Sequence, residues 1–180
     1  MALTHWFPLT ENCYDVINHD SQETAMLMEG TLTKGGPLGG YLANCKLRFE
    51  YHQIQCYERF INGKELSVVW WSADGNAVVA LGLADRGNFG SAQFNFNAGG
   101  SSLYVNGPWG VHDFRHTVSS SEWHHYAFTW RVDKGLSCYI DGKLIGTATV
   151  EYASIRRPLS AILMQGNKMS DVRVYSHCLS

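Results

Sequence analysis

The 180-residue sequence predicts an all-β chain, a sandwich of two antiparallel sheets. Three observations carry this. Short runs rich in β-branched and aromatic residues recur between Gly, Asn and Asp turn signals, spaced roughly 8–12 residues apart. The run Trp123-His124-His125-Tyr126-Ala127-Phe128-Thr129-Trp130 alternates with period two. His124, Tyr126, Phe128, Trp130 and Val132 fall on one face, and Trp123, His125, Ala127, Thr129 and Arg131 on the other. No stretch shows the repeat of an amphipathic helix.

The elements follow in order. Residues 3–9 read as an opening strand, and a polar loop runs through Asn18-His19-Asp20 to a weak strand at 24–33. Gly35-Gly36-Pro37-Leu38-Gly39-Gly40 breaks any regular element and must turn. Short strands are expected at 46–51 and 53–57, and a strong apolar one at Leu66-Ser67-Val68-Val69-Trp70-Trp71-Ser72. A turn at Asp74-Gly75 leads into a strand at 77–83. In Gln93-Phe94-Asn95-Phe96-Asn97 the rings face one layer and the amides the other. Gly99-Gly100 turns the chain into a strand at 102–105, followed by an expected loop over 106–116. After the 123–132 strand, Leu136-Ser137-Cys138-Tyr139-Ile140-Asp141-Gly142-Lys143-Leu144-Ile145-Gly146 reads as a hairpin, because Asp-Gly supplies the positive φ angles of a tight turn. Closing strands are expected at 159–165 and 170–176, completing one domain over 1–180 without repeats or linkers.

Composition bounds the function. A chain of this length buries about 70% of its unfolded surface, so a core needs no extra staples. Charged residues make up 17%, aromatics 13%, and glycines number 18, a balance of turn-rich β structure and not of disorder. A net charge of −2 gives no electrostatic drive toward nucleic acid or an anionic membrane, and neither is expected as a partner. No apolar run approaches the roughly 18 residues of a spanning helix. Met1-Ala2-Leu3-Thr4-His5-Trp6 lacks a basic region followed by an apolar one, so no secretory signal is visible. The expectation is a native start at Met1 and synthesis in a cytoplasm; an excised domain with an added methionine is the alternative. Cys13, Cys45, Cys56, Cys138 and Cys178 match no zinc spacing and are read as reduced and structural. There is no Asn-x-Ser/Thr sequon.

The same residues carry a resemblance. "WHHYAFTW … LSCYIDGKLIG" resembles the signature hairpin of the laminin-G-like, concanavalin A-like lectin/glucanase superfamily, which includes pentraxins. Leu3-Thr4-His5-Trp6-Phe7-Pro8-Leu9 with Asp15 is similar to its opening strand, and Met169-Ser170-Asp171-Val172-Arg173-Val174-Tyr175-Ser176-His177-Cys178-Leu179-Ser180 to its closing one. The resemblance implies a jelly-roll arrangement of the two sheets. It also makes the terminal strands neighbours, leaving a Cys13–Cys178 bridge as an alternative to free thiols. The opening "LTHWFPL" further resembles free-standing laminin-G-like proteins of tailed-bacteriophage structural clusters. That implies a virion accessory protein, made in the host cytoplasm, that decorates a capsid or tail.

Catalysis is not expected. Retaining glucanases need two carboxylates about 5 Å apart, and Glu58, Glu65, Glu122 and Glu151 each lack an acidic partner two residues away. His124 and His125 point to opposite faces of a strand and cannot chelate one ion. His112, Asp113 and His116 could converge from a loop, though a solvated polar loop is the simpler account. No cofactor is expected. Calcium, held by loop carboxylates in several members of the superfamily, stays an alternative, with Asp85, Asp113 and Asp171 scattered and forming no dense oxygen cluster.

The segment expected to meet a ligand is Asn106-Gly107-Pro108-Trp109-Gly110-Val111-His112-Asp113-Phe114-Arg115-His116. An indole stacks on the apolar C–H face of a sugar while amide, carboxylate, imidazole and guanidinium groups bond its hydroxyls. Asn106, Trp109, His112, Asp113 and Arg115 are the candidate ligand-binding residues, with Trp109 at a turn tip; a Trp109 that folds back as a loop anchor is the alternative. The other tryptophans, Trp6, Trp70, Trp71, Trp123 and Trp130, read as core or sheet-packing residues. Two functions follow: a non-catalytic virion protein contacting other virion proteins or copies of itself, with carbohydrate as a further partner, or a carbohydrate-binding module of a secreted bacterial protein. Exposed aromatics on one sheet would favour self-association.

Overall fold

The computed structural model describes residues 3–17, 24–50, 64–82, 92–107, 109–150 and 161–179. Among these residues twelve strands form and no helix. They are β1 (Leu3–Phe7), β2 (Thr24–Lys34), β3 (Gly40–Glu50), β4 (Glu65–Ala73), β5 (Ala77–Gly82) and β6 (Ala92–Ala98). Then come β7 (Ser102–Gly107), β8 (Gly110–Arg115), β9 (His124–Arg131), β10 (Gly135–Ile140), β11 (Lys143–Ala148) and β12 (Ala161–Tyr175).

The long strand β12 belongs to both layers of the sandwich. Its first part lies between β3 and β5, pairing Met164 with Leu47 and Val79. Its last part lies between β1 and β4, pairing Val174 with His5 and Val68. One layer therefore runs β2-β3-β12-β5-β6-β7-β8 and the other β1-β12-β4-β9-β10-β11, all antiparallel. The change of layer falls at a bulge between Ser170 and Arg173. There Asp171 takes a left-handed φ of 53° and donates its N–H to the Pro8 carbonyl, 2.9 Å away. A bulge increases local twist and re-aims the strand, which is what crossing between sheets requires. β4 and β5 are consecutive yet lie in different layers, because Asp74, Gly75 and Asn76 all adopt positive φ and arch the chain over the sandwich edge.

Alternating inward residues of both layers fill the core. Trp70 stacks on Tyr126 and Phe128, with ring centroids 5.8 and 5.4 Å apart. Phe128 in turn meets Phe96 of the opposite layer at 5.3 Å, and Phe7 meets Phe49 edge-on at 5.2 Å. These ring contacts, within and between the layers, exclude water and hold the two sheets together. His124, Tyr126, Phe128 and Trp130 are buried as the period-two pattern requires, whereas Val132 lies in the exposed turn after β9. Asp141 and Gly142 close the β10–β11 hairpin with φ of 51° and 75°.

Three expectations change. The segment 106–116 is no loop: it forms the end of β7 and all of β8, a hairpin paired from Ser102↔Arg115 to Gly107↔Gly110. The two closing strands are one continuous β12. The strand expected at 46–51 is the end of the longer β3, while 53–57 lies outside the described residues. Cys13, Cys45, Cys138 and Cys178 are free thiols, and Cys56 lies outside the described residues. Burial, with a smaller push from nearby Cys13, raises the Cys45 thiol to about 12, and burial raises Cys138 further, so both behave as small apolar groups.

Candidate functional site

Alternation along the β7–β8 hairpin divides the five candidate residues between its two sides. Asn106, Asp113 and Arg115 face solvent, and the Arg115 guanidinium lies 3.4 Å from the Asp113 carboxylate. Trp109 and His112 turn the other way. The Trp109 ring packs 5.4 Å from Phe94 and 5.2 Å from Trp130, and His112 stacks over Phe114 at 6.4 Å. Trp109 Nε1 and His112 Nε2 are both buried there without a hydrogen-bond partner. The indole is thus a loop anchor against the core and not a platform at an exposed tip. Phe114 packs against β11 because Gly146 there has no side chain: a Cβ at that position would lie 2.5 Å from the Phe114 ring.

Register assembles a wider polar face around the three outward residues. Asn95 pairs with Asn106 and Asn106 with Val111; Asn97 pairs with Tyr104 and Tyr104 with Asp113. Asn95, Asn97, Tyr104, Asn106, Asp113 and Arg115 therefore share the outer surface of β6, β7 and β8. Beside them on β5, Val78 is half-buried and Ala80 fully buried. Asn95 Oδ1 is buried in this surface with no hydrogen-bond partner. An acceptor withdrawn from water and left unpaired costs about 1–3 kcal/mol, a cost that a ligand donor would remove. Asn95, Asn97 and Tyr104 were not among the residues singled out from the sequence; the alternation of 93–97 showed the amides sharing a face, but not that the face adjoins Asn106.

The outer surface of the other layer differs in character. Consecutive register partners Trp6, Arg173, Val69, Ala127 and Tyr139 cross five strands in one row. Trp71 and His125 pair in the next row, their rings 5.2 Å apart. Asp171 Oδ1 accepts from Trp6 Nε1 at 2.7 Å and from Arg173 Nε at 2.9 Å, and the Arg173 guanidinium lies 5.1 Å from the Trp6 ring centre. Trp6 and Trp71 are partly exposed sheet-surface residues, whereas Trp70 and Trp130 are core. Burial outweighs the nearby Asp171 and Asp141 carboxylates and holds the His125 imidazole below its usual pKa.

His124 and His125 point to opposite faces, as adjacent strand residues must. His124 Nδ1 lies 2.7 Å from Asp141 Oδ2 and Nε2 lies 2.9 Å from the Ser119 carbonyl, while the His125 N–H donates to Asp141 Oδ1 at 2.8 Å. Partial burial opposes ionisation of Asp141, but these hydrogen bonds and the adjoining imidazoles outweigh it and hold the carboxyl below the usual range.

The metal candidates do not converge. His112 faces inward, Asp113 outward, and His116 Nε2 is 3.1 Å from the Gly99 carbonyl. Among the described residues no group of three His, Cys, Asp or Glu side chains is placed to hold an ion. Asp171 is engaged by Trp6 and Arg173, Asp113 lies beside Arg115, and Asp85 lies outside the described residues. Of the glutamates, Glu65 accepts from the Cys178 N–H and Glu122 is exposed, while Glu58 and Glu151 lie outside the described residues.

Solved structures share this architecture. The chain is similar to a botulinum neurotoxin type C structure described as showing that cell entry depends on interaction with two ganglioside molecules (TM-score 0.66, 11% identity, covering 98% of this chain and 48% of that one). It is also similar to the binding domain of botulinum neurotoxin DC, both in complex with rat synaptotagmin II (TM-score 0.67, 12% identity, 99% and 50%) and in complex with SialylT (TM-score 0.67, 12% identity, 99% and 48%). The chain spans about half the length of these structures, and identities this low establish the fold alone. No curated protein sequence matches it. Residues 109–180, from the β7–β8 turn through the closing strand, match the family model Laminin_G_3, described as the concanavalin A-like lectin/glucanases superfamily.

Proposed function

We propose that this chain is a non-catalytic carbohydrate-recognition domain whose contact surface is the outer face of β6, β7 and β8. The observation that carries this reading is the buried, unpaired Asn95 Oδ1 set in a row of amides beside Asn106. A sugar hydroxyl both donates and accepts, and side-chain amides answer both roles. Asn95 Oδ1 accepts a hydrogen bond from a hydroxyl; the amide NH₂ groups and Arg115 donate; Asp113 accepts; and Tyr104, in the middle of the set, offers a ring to the C–H face of a pyranose. Among the residues first named from the sequence, Asn106, Asp113 and Arg115 belong to the contact surface, while Trp109 and His112 support the hairpin from beneath. Recognition of this kind needs no cofactor. Two of the similar structures are described with a ganglioside or SialylT as ligand, which supports carbohydrate as the ligand class to test first.

The test is a glycan array followed by titration of the best hit. Wild type should bind, and Asn95→Ala with Asn106→Ala should weaken binding by tenfold or more, about 1.4 kcal/mol, with thermal stability equal to or above that of wild type, since the unpaired acceptor is removed. Failure of every glycan, or binding indifferent to both substitutions, overturns the reading. A second reading, a capsid or tail accessory protein of a tailed phage, is carried by the resemblance of Leu3-Thr4-His5-Trp6-Phe7-Pro8-Leu9 alone. The toxin binding domains give it no support. Mass spectrometry of purified virions that finds the chain in stoichiometric amount would establish it, and its absence would remove it.

A further inference from the structure

We infer that the outer surface of the β1-β12-β4-β9-β10-β11 layer is a self-association face, occupied by the same surface of a second copy of this chain. The row Trp6, Arg173, Val69, Ala127 and Tyr139 is continuous by register, with Trp71 and His125 beside it. Exposed apolar side chains extend the row at both ends. Leu144, opposite Tyr139 on the edge strand β11, is 51% exposed. At the other edge Val16 and Ile17 are 44% and 46% exposed, held against β1 by the Val16 N–H on the Trp6 carbonyl and by Asp15 Oδ1, which accepts from the Trp6 and Ile17 N–H groups. Six strands at about 4.8 Å spacing make a strip roughly 25 Å across, the scale of a standard protein contact.

The chemistry of the strip selects its occupant. Its central charged groups are already satisfied within it: Arg173 is hydrogen-bonded to Asp171, and Asp171 also accepts from Trp6. His125 is held toward its neutral form by burial. Of the other charges on this side, Asp141 is bonded to His124, Arg131 is paired with Asp133 and lies beside Glu65 in register, Glu65 accepts from the Cys178 N–H, and Lys143 is at the hairpin tip. Two identical faces related by a two-fold axis therefore meet without like charges opposed in the middle, which a contact between copies requires. A sugar is a poorer occupant, because aromatic and small apolar side chains make up most of the row and its Arg173 and Asp171 are hydrogen-bonded to each other. The indoles are also fixed in advance: Trp6 by Asp171 and Arg173, Trp71 by His125. Rigid aromatic anchors around a small-residue floor have the composition of an interface centre.

Sedimentation velocity over a concentration series tests this, with wild type beside a Val16→Lys, Leu144→Lys variant. Both positions are exposed, so folding should survive, and an unchanged thermal midpoint checks that it does. Wild type should shift from monomer to dimer as concentration rises, and the double lysine variant should need about tenfold more protein or greater to do so. Wild type that stays monomeric throughout overturns the inference, as does a dimer that the two lysines leave unchanged. Neither substitution touches Asn95 or Asn106, so glycan binding is read separately.

Discussion

At the scale of single residues, Asp141 joins two functions usually kept apart. It occupies a positive-φ position of the β10–β11 turn and also accepts from His124 and the His125 N–H. Asp141→Ala removes both hydrogen bonds and places a residue with no local side-chain hydrogen bond in the left-handed region. It should cost roughly 2–3 kcal/mol in denaturant unfolding, and Asp141→Asn, which tolerates that φ and keeps one acceptor, should cost less. The pH dependence has a definite sign. Burial lowers the folded pKa of His125, so the unfolded chain binds the proton more readily, and stability falls as pH drops through about 6.5 toward the folded value. Asp141, also depressed, withdraws its contribution only at more acidic pH, as pH falls below the usual carboxylate range through its folded value. Thermal midpoints measured between about pH 7 and pH 5 should therefore fall for wild type and stay flatter for His125→Gln. Equal slopes would show that this imidazole does not contribute.

At the scale of elements, the β7–β8 hairpin separates support from contact. Trp109 packs on Phe94 and Trp130, so Trp109→Ala should lower stability by about 3 kcal/mol and leave glycan affinity within about twofold. Loss of glycan binding at full stability would instead return Trp109 to the contact surface. Much of the fold was legible in the sequence because period-two alternation and Asp-Gly turns are local signals: β4, β9 and the β10–β11 hairpin were expected close to where they lie. The 106–116 segment was misread because Gly107, Pro108 and Gly110 are turn signals so closely spaced that they hid the short strands on either side. The unity of β12 was hidden for a related reason, since the bulge at Asp171 interrupts the alternation without ending the strand. Register between strands is set by contacts far apart in sequence, so the adjacency of Asn95 to Asn106 could not be read from either segment. Trp71 carried a usable signal: next to Trp70 in a strand, one of the two rings must face outward.

At the scale of the whole molecule, the two layers present opposite surfaces. The β6–β8 face is rich in amides with an unpaired acceptor, and the β1–β11 face is aromatic with its central charges internally paired. If both assignments hold, two copies joined through their aromatic faces turn their amide faces outward, and binding to a surface bearing many glycans should strengthen through bivalency. Immobilised glycan at high density should then retain wild type longer than the Val16→Lys, Leu144→Lys variant, with equal affinity for the soluble sugar. The central claim is the carbohydrate surface, and titration of isotopically labelled protein with the best array hit tests it most directly by nuclear magnetic resonance. The side-chain amide signals of Asn95, Asn97 and Asn106 should move together and saturate at the same ligand concentration. Shifts confined to Trp6, Trp71 and Tyr139, with those three amides unmoved, would contradict it.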